Sequence, residues 1–202
     1  MKSKFLAYLA ILPFISLSYT ISAEEIETTT PNPGSGFNST DGYGHTDASK
    51  AFEQLLDITL PNAPILGENL WALDNLNVPE VWNGTSSFSG TKGTGSTIAV
   101  IDTGVDLDHP EFTGRITAGY DFVDNDSIAD DGDGHGTHVA GIVASMENGE
   151  GTVGVAPDAK VMSIKFFGNG VWTSTKVLNS YVYARVIFPR FPDGADASVF
   201  KS

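Results

Sequence analysis

The stretch TIAVIDTG, Thr97 to Gly104, decides how the chain folds. Its first five residues are β-branched or apolar, as a parallel strand covered on both faces must be. Asp102 ends the run, and Thr103-Gly104 turns the chain away. Ligands of open α/β sheets gather beyond the carboxyl ends of the strands, so a carboxylate there is placed for chemistry, although Asp at a strand end also serves simply as a turn cap. Downstream, HGTHVAGIVASM (His135 to Met146) places Val139, Ile142, Val143 and Met146 at helical spacing, and Gly136 and Gly141 would let that helix approach a sheet closely. Further strands are predicted around Ile116 to Val123 and in KVMSIKFF (Lys160 to Phe167), and a further helix from Ser174 to Ile187. Strand, helix, strand and helix in this order predict an α/β fold, a parallel sheet flanked by helices.

Composition narrows the function. The 202 residues carry 25 acidic against 11 basic side chains, a net charge of −14, which disfavours nucleic acid as a partner because phosphates would be repelled. The chain has no cysteine, hence no disulfide framework and no thiolate metal site. Cations and neutral peptides suit it better.

The N-terminus reads as an address. Lys2 and Lys4 precede an apolar run from Phe5 to Leu17, and Ser22-Ala23 supplies small residues for a signal peptidase, so residues 1–23 are expected to be a signal peptide and the product secreted or extracytoplasmic. The alternative is an uncleaved anchor, which the interruptions at Pro13, Ser16 and Ser18 disfavour. Residues 24–67 read as a linker or processed segment, disordered in part because large apolar residues are scarce. Within it Asp47 is placed to cap a short helix carrying Ala51, Phe52, Leu55 and Leu56. The folded unit is expected to begin near Leu70. Sequons occur at Asn38, Asn83 and Asn125 and matter only in a host that glycosylates secreted proteins.

His135 changes the weight of Asp102. It opens the predicted helix, where the positive end of the helix dipole disfavours imidazolium and keeps the ring available as a base. A strand end and a helix start offer the two surfaces that an orienting carboxylate and a histidine base need to share a hydrogen bond. His138, one turn further, pairs with His135 at a spacing that a zinc ion could use, but no third ligand and no HExxH pattern accompany it, and packing is its expected role.

IAVIDTGVDLDHPEF (Ile98 to Phe112) and DGDGHGTHVAGIVAS (Asp131 to Ser145) resemble the Asp and His signatures of the subtilisin-like serine peptidases. ENLWALDNLNVPEVWN (Glu68 to Asn83) resembles the start of their catalytic domains, and VGVAPDAKVMSIKFFG (Val153 to Gly168) the stretch after the histidine helix. The resemblance implies a partial subtilisin-like catalytic domain over residues 68–184, with a divergent tail over 185–202. It implies that Asp102 orients and charge-stabilises His135, and that His135 takes the proton from a serine attacking a peptide carbonyl. In the family that serine lies in a Gly-Thr-Ser motif roughly 150 residues after the histidine. No such motif follows His135 here, and Gly84-Thr85-Ser86 lies before the aspartate among turn-formers. The expectation is therefore a serine endopeptidase by family, truncated before its serine half and inactive alone. Its substrates, if completed, are proteins or peptides.

The same resemblance implies structural Ca²⁺. Glu111 and Asn148 side chains, with the carbonyls of Met146, Glu150 and Thr152, match the family's strong site; hard oxygen ligands suit the ion. Asp121, Asp126, Asp130 and the carbonyl of Ile128 resemble a second site of thermitase-like members. A solvated acidic loop is the alternative at each. The rival to the peptidase reading is a non-catalytic product, a calcium-binding remnant or pseudoprotease, with a misread gene as a third possibility.

Overall fold

The computed structural model describes residues 46–168, 170, 172–187 and 199–200. The expected signal peptide, the sequon at Asn38 and most of the divergent tail lie outside these residues. By proximity the chain divides into Met1–His45 and Thr46–Ser202, and only the second unit is described.

Four strands form one parallel sheet in the order β2-β3-β1-β4: β1 is Thr97–Asp102, β2 Ile116–Asp121, β3 Lys160–Lys165 and β4 Val199–Phe200. β1 pairs with β3 along its whole length, from Thr97 opposite Lys160 to Asp102 opposite Lys165. On its other edge Ala99 and Val100 pair with Val199 and Phe200. The strand alternation places Val100 and Val161 in one core, with Val105, Phe112, Ala140, Val143 and Ala144. Ala99, Ile101, Met162 and Ile164 enter the opposite core with Ala184. Each fully buried Val or Ile of this set contributes about 1.5–3 kcal/mol. The fold is thus α/β with helices on both faces, α4 (His135–Ala144) on one and α5 (Ser174–Ile187) on the other.

Both helices turn small residues toward the sheet. In α4 the buried positions are Gly136, Ala140, Val143 and Ala144, and Ile142 is 56% exposed, so the expected apolar face is rotated from the real one. In α5 Ser180 and Ala184 are fully buried while Leu178 is exposed. The close approach depends on Gly136, whose added Cβ would lie 2.0 Å from the Gly104 carbonyl oxygen; Gly141, also expected to serve this purpose, meets only Ser145 Oγ at 3.3 Å. His138 is exposed and does not pack.

Ordered structure begins before Leu70. Asp47 caps α1 (Ala48–Leu56) by accepting the Lys50 N–H at 3.0 Å, a cap worth about 1 kcal/mol. It also receives Asn77 Nδ2 at 3.0 Å, while Ala48 N donates to Leu76 O, so α1 is tied to the turn joining α2 (Trp71–Asn75) and α3 (Val78–Asn83). Leu60 is buried, and the Asp74 carboxylate accepts the N–H groups of Leu66 and Gly67. Local composition could not show this, because the partners lie 7 to 30 residues away. Among the described residues no helix is long and apolar enough to cross a membrane.

Candidate active site

Strand order reverses at β1: β3 lies on one side of it and β4 on the other, and the intervening helices lie on opposite faces. The carboxyl end of such a strand opens a crevice, and Asp102 is the residue there. Its backbone oxygen is held by Phe166 N and its side chain is 4% exposed.

Asp102 Oδ1 lies 2.8 Å from His135 Nδ1 and accepts the Thr103 N–H at 2.6 Å. An ionised carboxylate only accepts, so Nδ1 carries the proton and the neutral ring keeps its lone pair on Nε2. The His135 side chain is 55% exposed, and among the described residues Nε2 has no hydrogen-bond partner. The imidazole therefore leaves a basic nitrogen unpartnered among the described residues, on a side chain open to solvent. The hydrogen bond to Asp102 and then that residue's charge raise the His135 pKa above 6.5; burial opposes this weakly, and Asp133 and Asp131 add to it. The direction is thus upward, opposite to the one expected from the helix start.

The first turn of α4 has no side-chain cap at Gly134. Asp131, which sequence reading passed over, does the work: its carboxylate accepts the N–H groups of Asp133, Gly134 and Thr137 and the hydroxyls of Thr103 and Thr137. Burial would raise its pKa, but these donors bring it to about 2. The available signal was a carboxylate just upstream of a helix start with hydroxyl residues on both flanking elements.

The expected calcium residues fall into two sets that behave differently. Glu111 and the loop after α4 converge: Glu111 Oε2 accepts Met146 N–H at 3.1 Å, Asn148 Nδ2 donates to Oε1 at 3.3 Å, and Asn148 Oδ1 accepts Glu150 N–H at 2.8 Å. A Cβ on Gly151 would come within 3.4 Å of Glu111 Oε1. Arg115 donates to the carbonyls of Glu111, Ala144 and Ala159 and so holds these segments together. The carbonyls of Glu150 and Thr152 accept no hydrogen bond among the described residues, whereas Met146 O accepts Asn148 N–H. One carboxylate, one amide and several carbonyls stand together here, oxygen donors of the kind a calcium ion takes, with Glu111, Asn148 Oδ1 and Met146 O engaged by N–H groups and the carbonyls of Glu150 and Thr152 left open among the described residues.

The second set does not fit. Asp121 is 1% exposed, its Oδ1 is engaged by the N–H groups of Val123 and Asp124, and its Oδ2 faces Lys165 Nζ at 3.4 Å. Lys165 also donates to Asp130 O at 2.9 Å, so an ammonium already supplies the positive charge. Asp126 Oδ1 accepts the Ile128 N–H, and Asp130 Oδ1 the Leu107 N–H. Among the described residues no group of three or more His, Asp or Glu side chains is arranged to hold a metal.

An apolar cavity of about 350 Å³ lies alongside, lined by Ile101, Phe166, Phe167, Trp172, Val177 and Tyr181. Ile101 precedes Asp102 in β1, and Phe166 donates its N–H to Asp102 O, so the cavity shares backbone with the carboxylate.

Comparison with known proteins bears on the same region. The model of the subtilase family, peptidase S8, matches residues 93–199. Thermitase of Thermoactinomyces vulgaris is 38% identical over 128 residues, 61% of this chain and 43% of thermitase. The intracellular serine protease of Paenibacillus polymyxa is 45% identical over 97 residues, 46% of this chain and 28% of that protein. The crystal structure of a cold-adapted subtilisin-like serine proteinase shares 39% identity at a TM-score of 0.42, covering 46% of this chain and 33% of that one. The chain spans less than half the length of these relatives. With the family model matched over more than half its residues, the chain belongs to the subtilase family of serine endopeptidases.

Proposed function

We propose that this chain supplies the acid–base part of peptide-bond hydrolysis: Asp102 holds His135 in the Nδ1–H tautomer and stabilises its imidazolium, and His135 Nε2 takes a serine proton and returns it to the leaving amine. The observation that carries this reading is the 2.8 Å bond between a buried carboxylate at a strand end and an exposed imidazole at a helix start. Substrates are proteins or peptides, and the apolar cavity beside Asp102 suits an apolar side chain.

The sequence after His135 contains no Gly-Thr-Ser nucleophile motif. This chain alone therefore hydrolyses no peptide bond at a useful rate, because triad members act as a unit and removing the serine costs roughly 10⁶ in turnover in this enzyme family. The test is casein cleavage together with labelling by a fluorophosphonate serine probe on the purified chain of confirmed mass. Neither should occur. Stoichiometric labelling abolished by changing one serine would place the nucleophile within these residues.

Glu111, Asn148 and the carbonyls of Met146, Glu150 and Thr152 would hold Ca²⁺, a structural ion that pins the loop after α4. Export is supported by Lys2, Lys4 and the apolar run that follows them; kinship does not decide it, since one relative is named an intracellular protease.

A further inference from the structure

We propose that Asp131, acting through the hydroxyls of Thr103 and Thr137, is the positioning residue that locks His135 against Asp102. The inference rests on the reading of these two as base and orienting carboxylate. An imidazole that is 55% exposed is not held by packing, so its orientation depends on how its backbone is anchored. Asp131 Oδ1 receives the Thr103 hydroxyl at 2.9 Å and Oδ2 the Thr137 hydroxyl at 2.6 Å. Because a carboxylate only accepts, both hydroxyl protons point to it, and each hydroxyl oxygen is left to accept from elsewhere. Thr103 Oγ1 accepts the Gly136 N–H at 2.9 Å, and Thr137 Oγ1 accepts the Asp106 N–H at 2.9 Å.

The consequence is a clamp one residue beyond each partner. Thr103 follows Asp102, Gly136 follows His135, and the two are joined by the bond from Gly136 N–H to the Thr103 hydroxyl oxygen, a hydroxyl that Asp131 holds in place. Gly136 leaves no clearance against Gly104, so α4 cannot slide along the strand end without breaking this bond. The carboxylate also accepts two N–H groups of the turn entering α4, Asp133 and Gly134, and that of Thr137 in its first turn, which makes the network cooperative.

The experiment is NMR on the full chain, observing the His135 Nδ1 proton, which a carboxylate bond moves to low field and protects from exchange, and the His135 titration. Thr103→Val removes one hydroxyl and no charge; exchange should become about tenfold faster, the cost of one hydrogen bond, and His135 should titrate lower. Thr103→Ser should keep the parent behaviour. Asp131→Asn should act like Thr103→Val. Asp102, Asp131 and Asp133 are the charged groups acting on His135, and Asp133→Asn, which removes charge without touching the clamp, should leave the low-field proton protected. If Asp131→Asn does not fold, the Val and Ser pair at Thr103 decides. A Thr103→Val chain with the parent's exchange rate and titration overturns the clamp while the dyad stands; a parent chain with no protected Nδ1 proton overturns both.

Discussion

The Asp102 carboxylate is 4% exposed, and the His135 imidazole bonded to it at 2.8 Å is 55% exposed. The pair spans the boundary between core and solvent, with its fixed charge inside and its exchangeable lone pair outside. For the base and orienting carboxylate proposed above, this division leaves the one accessible and the other fixed.

The first prediction concerns pH. His135 has a folded pKa raised above 6.5, chiefly by its hydrogen bond to Asp102. A raised value means the protonated form is favoured in the folded state, so this stabilisation is fully present below the unfolded value and is lost as pH rises through the folded one. The urea midpoint of the parent minus that of His135→Ala should therefore shrink from the acid to the alkaline side of this window. A difference that grows with pH would contradict the assignment.

A second prediction tests the contact between helix and strand. In Gly136→Ala the new Cβ would lie 2.0 Å from Gly104 O and 3.0 Å from Asp102 Cβ, both fixed by backbone. Overpacking of this kind costs about 1–3 kcal/mol or more, and here it also drives His135 away from Asp102. Gly141→Ala, which meets only Ser145 Oγ at 3.3 Å, should cost far less. Denaturant midpoints of the two variants should separate clearly; equal midpoints would show that the approach is looser than the geometry requires.

The third prediction is calcium binding at the loop after α4. Calorimetry on the chain should show heat with Ca²⁺, abolished in Asn148→Ala and in Glu111→Gln, with oxygen ligands at about 2.3–2.6 Å in a loaded structure. Asp121→Asn should leave that heat intact, because Lys165 already neutralises Asp121. Heat lost in Asp121→Asn but kept in Asn148→Ala would transfer the site to the other loop.

The sequence alone determined β1 to β3, α4, α5 and the two residues, Asp102 and His135, that the fold brings together, but not α2, α3 or β4. Thr97 to Asp102 is a strand, His135 to Ala144 a helix and Ser174 to Ile187 another, because apolar period, β-branching and turn residues are properties of neighbours in the chain. The Asp and His signatures were legible for the same reason. Tertiary structure decided what depends on distant partners. Ile142 fits the helical period yet faces solvent, while Gly136, Ala140, Val143 and Ala144 take the buried face of α4. Lys165 pairs with Asp121 at 3.4 Å from a distant strand, and Asp47 joins the fold through Asn77. In the sequence Asp131 is one carboxylate just upstream of a helix start; its hydrogen bond to Thr103 exists only where the end of β1 and the start of α4 meet, and the energy of that meeting is non-local.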